Sequence, residues 1–138
     1  MEQEDKELLL RDLCARLPYG VKVKTNNINI LKLGTHTRVG EYVTDVTEPC
    51  KPYLFPLSSM TEGQTEEVYN LIYQGVSESI EETKEWLKTR KENELRPITL
   101  TYILSYTLVI DWFCKNHFDY RGLIPMGLAI DCTNLNIY

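Results

Sequence analysis

The chain has 138 residues, 43% of them hydrophobic and 25% charged, and a net charge of −5 at pH 7. This composition is typical of one globular domain that buries a core without metal or disulfide, and it excludes a disordered chain. The sequence lacks both an uninterrupted apolar stretch of about 18 residues and the basic start of a secretory signal, so we expect a cytoplasmic protein that does not cross a membrane.

The first segment, residues 2–17, is predicted to be a helix. Leu9, Leu13 and Arg16 recur at helical spacing, and acidic residues occupy the first turn, where the helix dipole favours them. The proline and glycine that follow end the helix.

A period of two then predicts strands. Residues 21–24 and 28–33 alternate apolar and polar side chains around an asparagine pair, which indicates a β-hairpin. Residues 42–46 fit a third strand. Residues 53–55 fit a fourth strand, which the flanking prolines should confine to an edge of the sheet.

The second half begins with a helix. Thr61 and Gln64 have the spacing of a capping box, and the helix that they open is predicted to run to about Lys91. Its apolar stripe consists of Val68, Ile72, Val76, Ile80 and Leu87.

A further helix is predicted from Thr99 to Asn116, although residues 98–104 also alternate like a strand. After it, a turn at residues 125–127 leads into a last short strand. The sequence therefore predicts a single α+β domain over residues 1–138, with a small antiparallel sheet of three to five strands covered by two or three helices.

Four cysteines are scattered along the chain, and we interpret them as reduced thiols in or near the core: Cys14, Cys50, Cys114 and Cys132. Cys114 and His117 are close enough in sequence to share a metal ion or to form a nucleophile and base. His36 and Cys132 would have to complete a metal site, and no second Cys/His pair exists. We expect neither a metal nor a cofactor.

Positive charge is concentrated near the start of the chain. Between Leu13 and Gly40 there are five basic residues and no acidic one: Arg16, Lys22, Lys24, Lys32 and Arg38. Lys22 and Lys24 should share the solvent face of one strand, and Lys32 joins them if the hairpin register allows. With Arg16, Arg38, Tyr19 and Tyr42 these lysines would form a basic, partly aromatic patch for phosphate groups or an acidic partner. The alternative is that the lysines only discourage edge pairing.

A second cluster follows the last predicted helix: His117, Asp119, Tyr120 and Arg121. An imidazole, a carboxylate and a guanidinium so close together could serve a small enzyme as an acid–base pair with an anion-binding arm. The alternative is structural, because such residues can tie the end of a helix to the sheet.

Three strings resemble a family of short proteins, without an assigned activity, from gut bacteria of the Bacteroides group and their phages. They are LCARLPYGV (residues 13–21), KPYLFPLSSMT (residues 51–61) and HFDYRGLI (residues 117–124). The resemblance implies a cytoplasmic setting, often phage or prophage, and no mechanism.

These observations favour a non-catalytic accessory or binding protein that contacts another macromolecule, with a protein as the expected partner. The second hypothesis is a nucleic-acid binder that uses Lys22, Lys24, Lys32 and Arg38 with Tyr19. The third is a small enzyme that uses His117, Asp119 and Arg121. The net charge argues against membrane binding and against unspecific binding of nucleic acid.

Overall fold

The structure, a computed structural model, describes residues 2–73 and 100–138, with the backbone alone at 72–73 and 100–106. Its contacts divide the chain into two compact units. We call them the sheet unit (Met1–Phe55 and Leu123–Tyr138) and the helical unit (Pro56–Gly122). The prediction of a single domain stays a prediction. The predicted continuation of the second helix to Lys91 lies outside the described residues.

The sheet unit begins with the predicted helix, α1 (Gln3–Arg16), followed by a 3-10 turn (Leu17–Tyr19). Leu9 and Leu13 are fully buried, as their helical spacing predicts. Gly20 ends the turn with φ +68°, in the left-handed region that favours glycine.

Four short strands form one sheet: β1 (Lys22–Lys24), β2 (Leu31–Lys32), β3 (Lys51–Leu54) and β4 (Ile130–Asp131). Their order is β2-β1-β3-β4. β1 is antiparallel to both β2 and β3, so the predicted hairpin is confirmed. β3 and β4 are parallel, and the sheet is therefore mixed, where the sequence predicted an antiparallel one. The α+β class is confirmed.

The prediction that the Tyr53–Leu54 strand lies at an edge is wrong, because β3 has a neighbour on each side. β1 pairs with Lys51 and Pro52, whereas β4 pairs with Tyr53 and Leu54. The two neighbours thus use different halves of β3. The missing N–H of Pro52 therefore interrupts no ladder on the β4 side, and an interior strand can hold this proline.

The predicted strand at residues 42–46 is also wrong, because a short helix, α2 (Gly40–Val43), occupies this position. The amides of Thr44 and Asp45 both donate to the carbonyl of Gly40, at 2.9 and 3.0 Å. The Thr44 hydroxyl donates to the same carbonyl at 3.0 Å. One helical turn buries Val43 as well as a strand would, and a period of two over five residues does not separate the alternatives.

The core of the sheet unit joins α1, the sheet and the segment that leads into β4. Its fully buried members include Leu9, Leu13, Val21, Val23, Leu54 and Leu123. A turn at Gly127, with φ +76°, precedes β4 as predicted. α1 therefore packs on the face of β1 that carries Val23.

The helical unit starts with a 3-10 turn (Leu57–Ser59) and contains α3 (Glu62–Tyr73) and α4 (Leu100–Lys115), which pack together. The capping box of α3 is confirmed: the Thr61 amide donates to Gln64 Oε1 at 2.9 Å, and the Gln64 amide donates to Thr61 Oγ1 at 3.2 Å. Val68 is fully buried on the predicted stripe. No helix within residues 2–73 and 100–138 is both long and apolar enough to cross a membrane.

Candidate functional site

The solvent-facing side of the sheet carries two pairs of lysines that stand opposite each other on neighbouring strands. The register places Lys22 opposite Lys32 and Lys24 opposite Lys51. Side chains alternate along a strand, so Lys22 and Lys24 point away from the side that buries Val23. All four lysines therefore share one side of the sheet, which we call the lysine face (Lys22, Lys24, Lys32 and Lys51).

Sequence reasoning predicted three members of the lysine face and missed Lys51. Lys51 precedes a proline, at a position that the sequence placed before the strand. Its place opposite Lys24 depends on a pairing between β1 and β3 that no local pattern indicates. The only available signal was a lysine two residues before a predicted strand, which is too common to be informative.

Like charges that face each other directly across strands destabilise a sheet. The ion pairs Arg16–Asp12 and Arg38–Glu41 do not involve the lysine face. Edge protection explains Lys32 on the edge strand β2 most directly. The other three lysines lie on the interior strands β1 and β3, although Lys51 pairs with β1 alone because β4 pairs with the other half of β3.

The side chain of Lys22 forms contacts with the C-terminal residues of the same chain. Its Nζ donates to the carbonyl of Ile137 at 2.7 Å and lies 5.5 Å from the ring centroid of Tyr138. The Tyr138 hydroxyl accepts from the Lys22 amide at 2.8 Å and donates to the Tyr53 carbonyl at 2.9 Å. Burial raises the pKa of Tyr138 well above its usual value, so this phenol keeps its proton. Tyr138 thus bridges β1 and β3.

Lys32 lies against the turn that follows α1. A β-carbon on Gly20 would stand 2.6 Å from Lys32 Cε, closer than side-chain atoms approach. The positive φ of Gly20 disfavours a side chain for a second, independent reason. The glycine therefore gives the aliphatic part of Lys32 a place to lie while the residue stays exposed.

Lys24 and Lys51 are both exposed and stand beside an open cleft of about 460 Å³. The cleft is lined by Lys24, Thr25, Asn26, Thr47, Glu48, Pro49, Lys51 and Ile130. One wall is the turn after β1, which is held by the Thr25 hydroxyl accepting from the Ile28 amide at 2.9 Å. The lining is mostly polar, and it holds two ammonium groups and one carboxylate.

The other predicted members of the basic patch lie in different settings. Arg16 is fully buried with its Nε 2.8 Å from Asp12 Oδ2, so its expected place in a basic surface patch is wrong. It lies on the buried side of α1 and forms an i, i+4 pair there. Arg38 follows β2 in a loop, with a side chain 86% exposed and 3.9 Å from Glu41. Tyr19 is half-buried, and its part in binding stays a prediction, as does that of Arg38.

The predicted catalytic histidine forms part of a helix end. His117 has φ +63°, and its amide donates to the Cys114 carbonyl at 3.3 Å. The Phe118 amide donates to the Phe113 carbonyl at 2.9 Å. These two bonds are those of a Schellman motif, which closes the C-terminus of α4 with His117 in the position that usually holds glycine.

The residues after His117 pack with the aromatic side chains of α4. Phe118 stacks on Trp112 with ring centroids 5.6 Å apart, and Tyr120 stacks on Phe113 at 5.8 Å. The Arg121 guanidinium lies 4.9 Å from the Tyr120 ring centroid. Asp119 is buried, as is Tyr120. This packing supports the structural interpretation of the cluster, and a catalytic role for His117, Asp119 and Arg121 stays a prediction.

Cys50, Cys114 and Cys132 are buried, as predicted, whereas Cys14 is exposed, so its expected place in or near the core is wrong. Burial raises the pKa of Cys50 and that of Cys132 to about 11, so neither is a thiolate at neutral pH. Among the residues with described positions, no group of three His, Cys, Asp or Glu side chains could hold a metal ion.

A comparison of the chain with protein-family models, with curated proteins and with solved structures found no match.

Proposed function

We propose that this chain is a small, non-catalytic binding protein whose lysine face contacts an acidic surface of a protein partner. The observation that carries the proposal is the strand register, which places Lys22 opposite Lys32 and Lys24 opposite Lys51 on one side of the sheet. Each such like-charged pair costs on the order of 0.2–1 kcal/mol in the isolated chain. Carboxylates of a partner would turn this cost into a favourable interaction, which is the electrostatic complementarity typical of specific interfaces.

A protein partner fits the face better than a nucleic acid does. Binding of single-stranded nucleic acid uses exposed aromatic rings, on which bases stack, next to the positive charges. Tyr53 is buried on this side, and the Tyr138 hydroxyl is engaged with the backbone of two strands. The net charge of −5 would also repel a polyanion from the rest of the protein.

The proposal also covers the cellular location and the origin of the protein. We place the protein in the cytoplasm of a bacterium, as an accessory protein of bacterial or phage origin, because the three strings of the sequence resemble a family with that distribution. The proposal requires no cofactor and assigns no catalytic residue.

The test is an affinity pull-down from the lysate of a Bacteroides-group bacterium, with and without nuclease. The protein is compared with a Lys24→Glu/Lys51→Glu variant. The matched control is Arg11→Glu/Lys115→Glu, which changes the net charge equally at two exposed positions outside the lysine face. Lys22 is left unchanged, because its contact with Ile137 would mix a loss of stability with a loss of binding.

We expect a stoichiometric protein partner that survives nuclease, is retained by the control and is lost with the lysine variant. A partner that both variants retain equally would refute the use of this face. Retention that disappears with nuclease in every arm would replace the protein partner with a nucleic acid.

A further inference from the structure

We infer that the cleft beside Lys24 and Lys51 binds a phosphomonoester group. This inference rests on the proposed function, because the cleft opens on the same lysine face, and it specifies the chemistry of the group recognised there. The phosphomonoester could be a free small molecule or a phosphorylated side chain of the partner. The chemistry at the cleft is the same for both sources.

The lining is positively charged and rich in hydrogen-bond donors, which suits an anion with more than two acceptor oxygens. Lys24 and Lys51 face each other across β1 and β3 and bring two ammonium groups to one rim, whereas Glu48 supplies one negative charge. The lining therefore carries a net charge of +1 (two lysines and one glutamate), and a carboxylate, with only two oxygens, would leave some of its hydrogen-bond donors without an acceptor. A phosphomonoester carries about −1.5 to −2 at pH 7 and three strong acceptor oxygens.

The neutral groups of the lining complete the set of donors. Asn26 contributes an amide with two N–H donors, and Thr47 contributes a hydroxyl; both residues are exposed. The Thr25 hydroxyl accepts from the amides of Asn27 and Ile28, at 3.3 and 2.9 Å, and so holds the turn that contains Asn26. Donors therefore come from two strands and two loops, which converge on one cleft.

The volume indicates that more than a bare phosphate is accommodated. A cleft of about 460 Å³ lies within the range of small-molecule sites, and a phosphate fills only a fraction of it. Pro49 and Ile130 add an apolar part to the lining. The remaining space therefore suits the organic group that carries the phosphate, whether a metabolite or the side chain and backbone of a phosphorylated peptide.

The experiment is an NMR titration of the full chain, following the amide signals of Asn26, Thr47 and Ile130. The probes are inorganic phosphate, O-phosphoserine and a short phosphoserine peptide, with sodium chloride at matched ionic strength as the blank. We expect saturable shifts at the cleft with the phosphate probes and none with chloride. Shifts that rise linearly without saturation for every phosphate probe would overturn the inference.

Variants distinguish binding at the cleft from unspecific electrostatic attraction of an anion to the protein. Lys24→Gln or Lys51→Gln should weaken binding about three- to tenfold, the range for one partly exposed charge contact. Arg11→Gln is the matched control, since it removes the same charge at an exposed position outside the lysine face, and it should leave affinity within about twofold. Glu48→Gln should tighten binding. Equal losses from Arg11→Gln and Lys51→Gln would overturn the inference.

The probes also distinguish the source of the group. Tighter binding of the peptide than of O-phosphoserine assigns the group to a partner protein, whereas equal affinities assign it to a free metabolite. The two proposals fail separately. A partner captured through Lys24 and Lys51 without any saturable phosphate binding leaves the proposed function standing and removes this inference. Saturable phosphate binding without a protein partner supports this inference and refutes the proposed function.

Discussion

Replacement of His117 by glycine and by alanine tests whether this residue acts as the cap of α4. Its φ of +63° places a β-carbon in the left-handed region, which costs a residue with a side chain about 1–2 kcal/mol. Glycine removes that cost. Its greater conformational freedom in the unfolded chain, however, lowers the free energy of unfolding by about 0.4–1 kcal/mol. The two variants both lack the imidazole, so their difference reports the backbone alone. We expect His117→Gly to be about 1 kcal/mol more stable than His117→Ala.

The assay is urea unfolding followed by circular dichroism, with the two midpoints compared at equal m-values. The control is the same pair of changes at Lys115, an exposed residue two positions earlier within α4. There the backbone is helical, so alanine should be the more stable variant by about 0.5–1 kcal/mol. The order of stability is thus expected to reverse between the two sites. An alanine advantage at both sites would refute the assignment of His117 to the left-handed cap.

Three further changes have defined outcomes. Arg16→Met should lower stability by about 3–5 kcal/mol in urea unfolding, because it leaves the carboxylate of Asp12 buried without its guanidinium. Tyr138→Phe should cost about 1 kcal/mol and speed hydrogen exchange of the Lys22 amide, which loses its acceptor. Because Cys50 and Cys132 bind protons more tightly folded than unfolded, their contribution to stability should be complete below about pH 9 and be lost as the pH rises through about 11, where Tyr138 adds to the fall. Urea midpoints across this range measure the fall.

Each of these changes has a matched control. Tyr19→Phe removes a hydroxyl from a half-buried tyrosine of the same unit, and it should cost far less than Tyr138→Phe. Arg11→Met, on the exposed side of α1, should leave stability nearly unchanged. Alanine at both Cys50 and Cys132 should flatten the alkaline fall in stability. A fall of unchanged size in that double variant would assign it to other groups.

Much of the fold could be predicted because its signals are local. The helical spacing of Leu9 and Leu13, the capping box of Thr61 and the alternation around Val23 each lie within a few residues of the element that they specify. The same holds for two members of the lysine face, since Lys22 and Lys24 share a strand. Such patterns act through backbone geometry and hydrogen bonds between near neighbours.

The remainder depends on contacts between distant parts of the sequence. Lys51 joins the lysine face only because β3 pairs with β1, and β3 lies inside the sheet only because β4 pairs with its second half. Arg16 had a local signal, an aspartate four residues earlier, but its complete burial depends on what packs over α1. The cleft shares this limitation, because its lining comes from segments that are far apart in the chain.

The sheet unit is discontinuous in the chain, with the helical unit inserted between its two parts. During synthesis the ribosome therefore completes the whole of Pro56–Gly122 before β4 and Tyr138 emerge. Until then β3 has an open edge, and the backbone groups of Lys22 and Tyr53 lack the bridging phenol. We expect a ribosome-bound chain stalled before Leu123 to be digested by protease in its first 55 residues and to gain protection once Tyr138 has left the exit tunnel. The order of translation would thus make the sheet the last part of the molecule to become native.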